Sequence, residues 1–317
     1  MTSCLVWLPS PLEVAAEFQG FLEGLMSKLF TLLSFFDIFM ENLLMMDTSR
    51  SNNYLLNWIE KKQSWGKYVF CLQEVKTDFP DISEQALVLS LSRLSSKGRV
   101  LSVYKGFYLI IPPEYASRGL LPPMIFIDSL MNFVDKPYYV GLLSAAALHG
   151  ASHQQPQEFF VVTNAKQFTT QRKGLKIRYI TKKIIPEDLL EKRKTESGYV
   201  FVSNPELTAA DVVYYNNRIG GINRAASVLN ELADAMNPRR ISGGLINTLT
   251  IPTIQRLGYL LDVVLEQKIL ADKLFSESLK LKKEFFRQPL KAGQVRKGFP
   301  KNDRWKIIIN TDIEIDE

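Results

Sequence analysis

Five side chains between positions 85 and 96 have the types and the spacing that suit contact with a DNA duplex: Gln85, Leu89, Ser92, Arg93 and Ser96. At about 100° per residue they fall on one side of a helix. Amide and guanidinium groups can bond base edges in a major groove, hydroxyl groups can reach bases or phosphates, and leucine can touch a thymine methyl group. The face has no acidic residue, whereas an ordinary solvated face would carry more glutamate and lysine. The pattern predicts a helix whose outward side approaches DNA closely.

The helix that presents these residues is predicted between Ser83 and Lys97. Ser83 is a suitable N-cap, and Gly98 is a natural C-terminal stop. The buried stripe is formed by leucines at helical spacing, namely Leu87, Leu91 and Leu94. Two helices are predicted before it, in the segments NNYLLNWIEKK and LQEVKTDF, with the β-prone run KYVF between them.

After Gly98 the sequence RVLSVYKGFYLI alternates, which predicts two strands joined around Tyr104, Lys105 and Gly106. Three helices and a hairpin form a winged helix-turn-helix, assigned here to residues 47–111. Basic side chains beside the helix are expected to hold phosphates. Such folds also serve as protein-interaction modules, but the acid-free helix face favours DNA. The predicted DNA-binding residues are Ser83, Gln85, Leu89, Ser92, Arg93, Ser96, Lys97, Arg99 and Lys105.

The charge of the chain is unevenly distributed. Its 317 residues carry a formal net charge of +6, yet residues 1–46 contain five acidic residues and one lysine. The basic remainder suits a polyanionic partner. Residues 1–46 have no apolar run long enough to span a membrane and no basic start typical of a secretory signal. They are interpreted as a leader or dispensable extension, with an amphipathic helix for a partner or a membrane surface as the alternative.

The proline-rich segment IPPEYASRGLLPP is predicted to be a linker over residues 112–123. Residues 124–317 are predicted to form a second domain, with a helix beginning at Pro137, strands in EFFVVT, LKIRYI and GYVFVS, and a helix capped by Ser203 or Asn204. Further helices are expected in 222–236, 251–267 and 271–286, and a late strand in RWKIIIN. The predicted fold class is α/β (α+β), an N-terminal winged helix-turn-helix followed by a mixed α/β C-terminal domain.

The second domain contains little that resembles a set of catalytic groups. His149 and His153 have no third ligand at metal spacing, and a structural or helix-capping role is favoured. RIGGIN lacks the spacing of a phosphate loop and is interpreted as a helix connection. Cys4 and Cys71 are too few for a disulfide framework, which predicts the reducing cytoplasm. No enzyme activity, metal or cofactor is expected, because the carboxylates that a metal nuclease would need are scattered over Glu158, Glu187, Asp188 and Asp211.

Basic residues cluster in the second domain. They are either a solvated edge of the fold, a second surface for the DNA backbone, or a docking face for an acidic partner. The residues predicted for this second basic surface are Arg172, Lys173, Lys176, Arg178, Lys182 and Lys183, and a further basic run follows at 192–194.

The order of these segments resembles the AbiEi antitoxins of type IV abortive-infection toxin–antitoxin systems. The resemblance rests on the winged helix up to its close GFYLI, and on YYVGLLSAAALHG, FFVVT, GYVFVSNPELTAADVV, RLGYLLD and RWKIIIN. It covers about Met46 to Asn310. Leu207 departs from the pattern, in which a basic residue is expected, and the segment before Met46 has no counterpart.

The resemblance implies a two-part protein. Its winged helix would bind inverted repeats of double-stranded DNA in its own promoter and repress the operon. Its C-terminal domain would counter an AbiEii-like, nucleotidyltransferase-like toxin, without an enzymatic step of its own. Two alternatives stay open: a winged-helix repressor whose second domain senses a ligand, and a DNA-targeted nuclease. Ligand-dependent thermal stabilisation would favour the former, and metal-dependent cleavage of DNA the latter.

Overall fold

The computed structural model describes residues 54–151, 157–164, 170–172, 174–295 and 297–315. The predicted leader at residues 1–46, together with His153 and Lys173, lies outside these ranges. The side chain of Arg172 is likewise outside them, although its backbone is described. Below, residues 54–111 are called the N-terminal module and residues 112–315 the C-terminal region.

The N-terminal module consists of helices and a small antiparallel sheet. Its elements are α1 (54–64), β1 (Val69–Cys71), α2 (Leu72–Asp78), α3 (Glu84–Ser96), β2 (Val100–Tyr104) and β3 (Phe107–Ile110). The strand order is β1-β3-β2, with both pairs antiparallel. This order of elements agrees with the predicted winged helix-turn-helix.

Local signals in the sequence explain where α3 and the hairpin begin and end. The Ser83 hydroxyl accepts the N–H of Ala86 at 3.3 Å, which caps α3. Gly98 follows the helix at φ +71°, and Gly106 occupies the hairpin turn at φ +77°, a region that glycine adopts without strain. The buried side chains of α3 include Leu87, Leu91 and Leu94, as predicted.

The C-terminal region is built on a six-stranded sheet with the order β6-β7-β5-β4-β9-β8. Its strands are β4 (Tyr138–Val140), β5 (Phe159–Thr163), β6 (Thr170–Arg172), β7 (Leu175–Thr181), β8 (Leu190–Thr195) and β9 (Gly198–Ser203). The β5–β7 and β4–β9 pairs are parallel, and the others are antiparallel. The mixed α/β fold class predicted from the sequence is confirmed.

Helices and three short strands complete the C-terminal region. The α-helices are α4 (Pro123–Phe133), α5 (Leu142–Leu148), α6 (Pro205–Tyr214), α7 (Asn216–Ile219), α8 (Ile222–Leu232), α9 (Gly243–Thr248), α10 (Ile251–Tyr259) and α11 (Lys268–Lys280). A π-helical turn, Leu260–Val264, extends α10. The short strands are β10 (Gln288–Pro289), β11 (Lys301–Asn302) and β12 (Ile307–Ile308), which pair in the order β10-β12-β11.

The two faces of the six-stranded sheet contact different layers. One face shares a hydrophobic core with α6, α8, α10 and α11. The other shares a core with α4 and with the strands β2 and β3 of the N-terminal module. Ile111 and Leu121, at the ends of the predicted linker, are buried in this second core. The N-terminal module is therefore packed onto the C-terminal region.

Three parts of the C-terminal region differ from the sequence-based expectation. The helix expected from Pro137 begins only at Leu142, because Tyr138–Val140 form the central strand β4. Aromatic and β-branched side chains favour a strand there. The segment 190–195, rich in lysine and arginine, forms the edge strand β8, and Pro123–Phe133 form α4 after the expected linker.

Two segments that carry the family resemblance, RLGYLLD and RWKIIIN, contact one another. Trp305 is fully buried and donates its indole N–H to Asp262 Oδ2 at 2.9 Å. Asp262 also accepts from Lys268 and Arg304 at 2.8 and 3.0 Å. The Arg256 guanidinium donates to the carbonyl of Leu290 at 3.0 Å. These contacts attach the C-terminal strands to α10.

Replacing Asp262 with asparagine is expected to lower the free energy of unfolding at pH 7 by about 2 kcal/mol, because charge-assisted hydrogen bonds are lost. Burial alone would raise the pKa of Asp262, but hydrogen bonds from Lys268 and Trp305 and the charge of Arg304 hold it below its usual value. Because its pKa is lower in the folded protein, ionised Asp262 stabilises the fold at pH values above the pKa of aspartate in the unfolded chain, which is about 3.9. That contribution is lost as the pH falls towards the folded value.

The difference in stability between the wild type and Asp262→Asn should therefore shrink as urea unfolding is repeated from about pH 6 down to about pH 3. Asp272→Asn provides the control. Asp272 contacts Arg304 from an exposed position, so this change is expected to cost less than about 0.5 kcal/mol. A difference that stays constant with pH would contradict the assignment of a depressed pKa to Asp262.

Candidate nucleic-acid interface

The outward face of α3 is open to solvent. Gln85, Leu89, Ser92, Arg93 and Ser96 are all exposed, and Leu89 and its neighbour Val88 have exposed fractions of 53% and 42%. Large apolar side chains are costly to leave in water unless a partner covers them. The structure thus places the five residues predicted from the helical spacing together on one accessible surface.

Contacts within the N-terminal module fix several of these groups. The Ser96 hydroxyl donates to the carbonyl oxygen of Ser92 at 3.1 Å. Ser83 is exposed, but its oxygen already accepts the capping hydrogen bond of α3. Its contribution is therefore to position the helix. Glu84, the acid in the first turn of α3, is paired with Lys76 at 2.7 Å, which balances its charge beside the face.

The predicted phosphate-binding cations surround the C-terminal end of α3 and the hairpin. Lys97 and Lys105 are exposed, and Lys105 lies in the hairpin turn. Arg99 is partly buried and donates to Glu60 of α1 at 3.0 Å. A guanidinium has five N–H donors, so this contact orients Arg99 without using all of them.

The tip of the hairpin is supported by the C-terminal region. The Phe133 ring of α4 lies 6.2 Å from the Tyr104 ring and 5.3 Å from the Phe107 ring, measured between centroids. The apolar face of β2 and β3 is buried in the shared core. The exposed turn around Lys105 therefore extends from a hairpin that is packed on α4.

The residues predicted for a second basic surface do not all face solvent as free cations. Arg178 is paired with Glu158 at 2.6 Å, and Lys182 is paired with Asp211 at 2.9 Å with only 15% of its side chain exposed. Lys176 and Lys183 are exposed. Lys173 and the side chain of Arg172 lie outside the described residues.

His149 has a structural environment. Its Nε2–H donates to the carbonyl of Ser203 at 2.7 Å, and its Nδ1 accepts from the Arg193 guanidinium at 2.9 Å. Burial lowers the pKa of His149, which keeps the ring neutral and both nitrogens engaged. Among the residues that the structure describes, no cluster of side chains has the composition of a metal site.

Part of the C-terminal region matches a known protein family. Residues 139–263 match the AbiEi antitoxin C-terminal domain. This part of the chain is therefore similar to the C-terminal domain of AbiEi antitoxins, which supports an antitoxin role in a toxin–antitoxin system, as the resemblance of its segments predicted. A comparison with curated proteins found no match.

The fold of the antitoxin is also similar to a solved structure. The crystal structure of the RV2827C protein from Mycobacterium tuberculosis superposes with a TM-score of 0.58 at 14% sequence identity. The superposition covers 79% of the antitoxin and 89% of that chain. At this identity the similarity concerns the fold alone. No helix in the described part of the antitoxin is long and apolar enough to cross a membrane.

Helix α6 explains why the family segment GYVFVSNPELTAADVV has its composition. Asn204 caps α6 by accepting the N–H of Leu207 at 2.8 Å, and residues from Pro205 to Val213 are all buried. Leu207, where a basic residue was expected, is fully buried in the core and therefore suits an apolar side chain. Thr208 and Ser203 bond to each other through their hydroxyl groups at 2.7 Å.

Proposed function

We propose that the antitoxin binds inverted repeats in its own promoter through α3 and represses its operon. The observation that carries this proposal is the exposed, acid-free face of α3, which ends beside Lys97. Gln85, Ser92 and Arg93 would read base edges in the major groove, and Leu89 would contact a thymine methyl group. Lys97, Arg99 and Lys105 would hold the phosphate backbone.

The packing of the hairpin supports a role for Lys105 beside α3. The Tyr104 and Phe107 rings of the hairpin pack on Phe133 of α4, next to the turn that carries Lys105. A duplex seated on α3 would meet Lys105 with its phosphate backbone. Inverted repeats require two such modules related by a twofold axis, so we propose that two copies occupy one operator.

The C-terminal domain would counter an AbiEii-like, nucleotidyltransferase-like toxin. The family match supports a toxin as the functional partner. We propose that the antitoxin performs no catalytic step and acts in the cytoplasm, where promoter DNA and the toxin are both present. A nucleotidyltransferase-like toxin gene directly beside the antitoxin gene would support this assignment, and its absence would argue for a repressor of another operon.

Arg93→Ala tests whether α3 reads sequence. Losing a base contact is expected to weaken binding to the promoter by about 1 to 3 kcal/mol and to change binding to unrelated DNA much less. Lys97→Ala removes the same charge from a residue that is proposed to contact phosphates. It should weaken binding to the promoter and to unrelated DNA equally. Fluorescence anisotropy at one fixed salt concentration measures all four affinities.

The comparison of the two variants decides the role of Arg93. Equal losses on promoter and unrelated DNA for Arg93→Ala would assign Arg93 to the phosphate backbone. If neither variant changed binding to either DNA, α3 would not be the DNA-binding surface. The N-terminal module would then be a protein-interaction module.

A further inference from the structure

A cavity of about 170 Å³ opens between the sheet and the helical layer of the C-terminal region, near the carboxyl end of β7. Its lining comes from the end of β7, from α6 and the residue after it, and from the segment before and into α10: Thr181, Lys182, Lys183, Asp211, Tyr214, Tyr215, Thr248, Leu249, Thr250 and Thr253. In open α/β sheets, ligands commonly bind at the carboxyl ends of strands. These residues lie outside the N-terminal module and outside the face of α3 proposed to bind DNA.

Two of the lining residues, Lys182 and Asp211, are bonded to each other and to the buried Tyr139. The Tyr139 hydroxyl donates to Asp211 Oδ2 at 2.6 Å, and Lys182 Nζ donates to Asp211 Oδ1 at 2.9 Å and to the Tyr139 oxygen at 3.2 Å. Tyr139 is fully buried and Asp211 nearly so. Burial and the charge of Asp211 raise the pKa of Tyr139, so the hydroxyl remains a donor.

The charged residues that line the cavity carry an excess of one positive charge. An ammonium group has three N–H donors. Lys182 uses two of them in its hydrogen bonds to Asp211 and to the Tyr139 oxygen. Asp211 balances one positive charge, which leaves the charge of Lys183 in excess among the charged lining residues. Lys183 is exposed at the edge of the cavity. A buried ion pair costs desolvation energy, which its own hydrogen bonds must offset.

Uncharged groups around the opening add hydrogen-bonding and aromatic surface. The hydroxyl groups of Thr250 and Thr253 lie 2.8 Å apart on the lining. The Tyr215 hydroxyl reaches the carbonyl of Thr181 only at 3.5 Å, a weak contact that a better acceptor could replace. Tyr214 is 53% exposed, and its ring meets the Tyr215 ring edge-on at 4.6 Å between centroids.

We propose that this cavity binds a phosphate-bearing small molecule, with the phosphate group beside Lys182 and Lys183. A phosphate group offers several acceptor oxygens to ammonium and hydroxyl donors. A cavity of about 170 Å³ is many times the roughly 10 to 15 Å³ that one water molecule requires on this measure, so it accommodates a phosphate group and a short attachment. A planar group attached to the phosphate would lie outside, against Tyr214.

The proposal goes beyond the DNA-binding function and does not depend on it. The cavity lies on the helical side of the sheet, whereas α3 belongs to the module that packs against the opposite side. DNA would therefore not be the source of the phosphate in this cavity. Binding here would give the C-terminal region a ligand-sensing role, which is the alternative that the sequence left open.

Isothermal titration calorimetry of the full chain in a low-anion buffer tests the proposal. Inorganic phosphate is expected to bind at one site, and adenosine monophosphate to bind the same site in competition with it. Adenosine, which lacks the phosphate, is expected not to bind. Adenosine monophosphate binding more tightly than phosphate would assign Tyr214 to the attached group, and equal affinities would restrict the site to the phosphate.

Substitutions locate the site. Lys183→Gln is expected to weaken phosphate binding about tenfold, the loss of roughly one charge-assisted contact. Lys192→Gln removes an exposed lysine of β8, outside the cavity. This variant should bind phosphate with the affinity of the wild type. Because Lys182→Met alone would leave Asp211 buried and unpaired, it is combined with Asp211→Asn. This double variant should lose phosphate binding while its melting temperature shows that it is folded.

Either of two results would overturn the proposal. One is the absence of saturable binding of both inorganic phosphate and adenosine monophosphate to the wild type. The other is unchanged affinity in both Lys183→Gln and the folded double variant, which would make Tyr139, Asp211 and Lys182 a structural network only. Arg93→Ala should bind phosphate normally, so a failure of the DNA-binding proposal would be seen separately from a failure of this one.

Discussion

Replacing Gly258 with alanine is expected to destabilise the antitoxin by about 3 kcal/mol or more. A methyl group at position 258 would lie 2.1 Å from Cζ3 of the Trp305 ring, well inside van der Waals contact. Trp305 is fully buried, and its indole N–H is bonded to Asp262 at 2.9 Å, so the ring cannot shift without losing that bond. Overpacking at such a site usually costs about 1 to 3 kcal/mol and sometimes more.

Gly243→Ala is a matched control for this prediction. Gly243 begins α9, and a methyl group there would meet only the Leu281 side chain at 3.6 Å, an ordinary contact. Without strain, a change from glycine to alanine in a helix is expected to be neutral or to stabilise by about 0.4 to 1 kcal/mol. Urea unfolding of the two variants measures the difference. Equal stabilities would show that Trp305 does not pack against Gly258.

The N-terminal module could be predicted from the sequence because its signals are local. Ser83 caps α3, Gly98 follows its end, and the turn at Gly106 closes a hairpin of two adjacent strands. Each of these features depends on residues only a few positions apart. The exposed face of α3 followed from the same information, since a leucine stripe on one side of a helix fixes which side faces solvent.

The contacts of the C-terminal region could not be predicted in the same way, because they join residues far apart in sequence. Tyr138–Val140 resembled the start of a helix because small apolar residues follow, yet pairing with β5 and β9 makes it a central strand. The edge strand β8 is rich in charge because an edge is half solvated, and charged edges also resist aggregation.

The polar groups of the cavity could not be predicted from the sequence for the same reason, because they are far apart along the chain. Lys182 was expected on an open basic surface, but its charge is paired with Asp211, which lies 29 residues away. Asp211 was considered only as one of several scattered carboxylates. A lysine after a strand and an aspartate within a helix carry no sequence signal that they meet. Their meeting depends on how α6 crosses the sheet beside Tyr139.

Reversing charge on the outward face of α3 is expected to abolish promoter binding. The double variant Ser92→Glu and Arg93→Glu would remove the proposed base contact of Arg93 and place two carboxylates on the face proposed to meet DNA. Binding to promoter DNA should fall by at least about 100-fold, and binding to unrelated DNA should fall as well, because phosphate repulsion does not depend on sequence. Both positions are exposed, so the fold should be retained.

The control for charge reversal changes the net charge equally at another surface. Ser276→Glu and Arg239→Glu are exposed substitutions in the C-terminal region, and they should leave promoter affinity almost unchanged at about 0.15 M salt, where exposed charges are screened beyond about 8 Å. Anisotropy titrations at several salt concentrations separate the two effects, since the slope of affinity against salt reports the number of phosphate contacts. Equal losses in both double variants would mean that net charge alone attracts DNA.

The alternative role of the N-terminal module predicts a different outcome for the same variant. If α3 docked onto a protein, the exposed Val88 and Leu89 would be its anchors, and charge reversal would leave promoter affinity as it is in the control. The DNA-binding role requires instead that Leu89→Ala weaken promoter binding modestly while Arg93→Glu weakens it severely. This order of effects is expected because Arg93→Glu removes a base-edge hydrogen bond and adds a carboxylate that phosphates repel, whereas Leu89 offers only apolar contact.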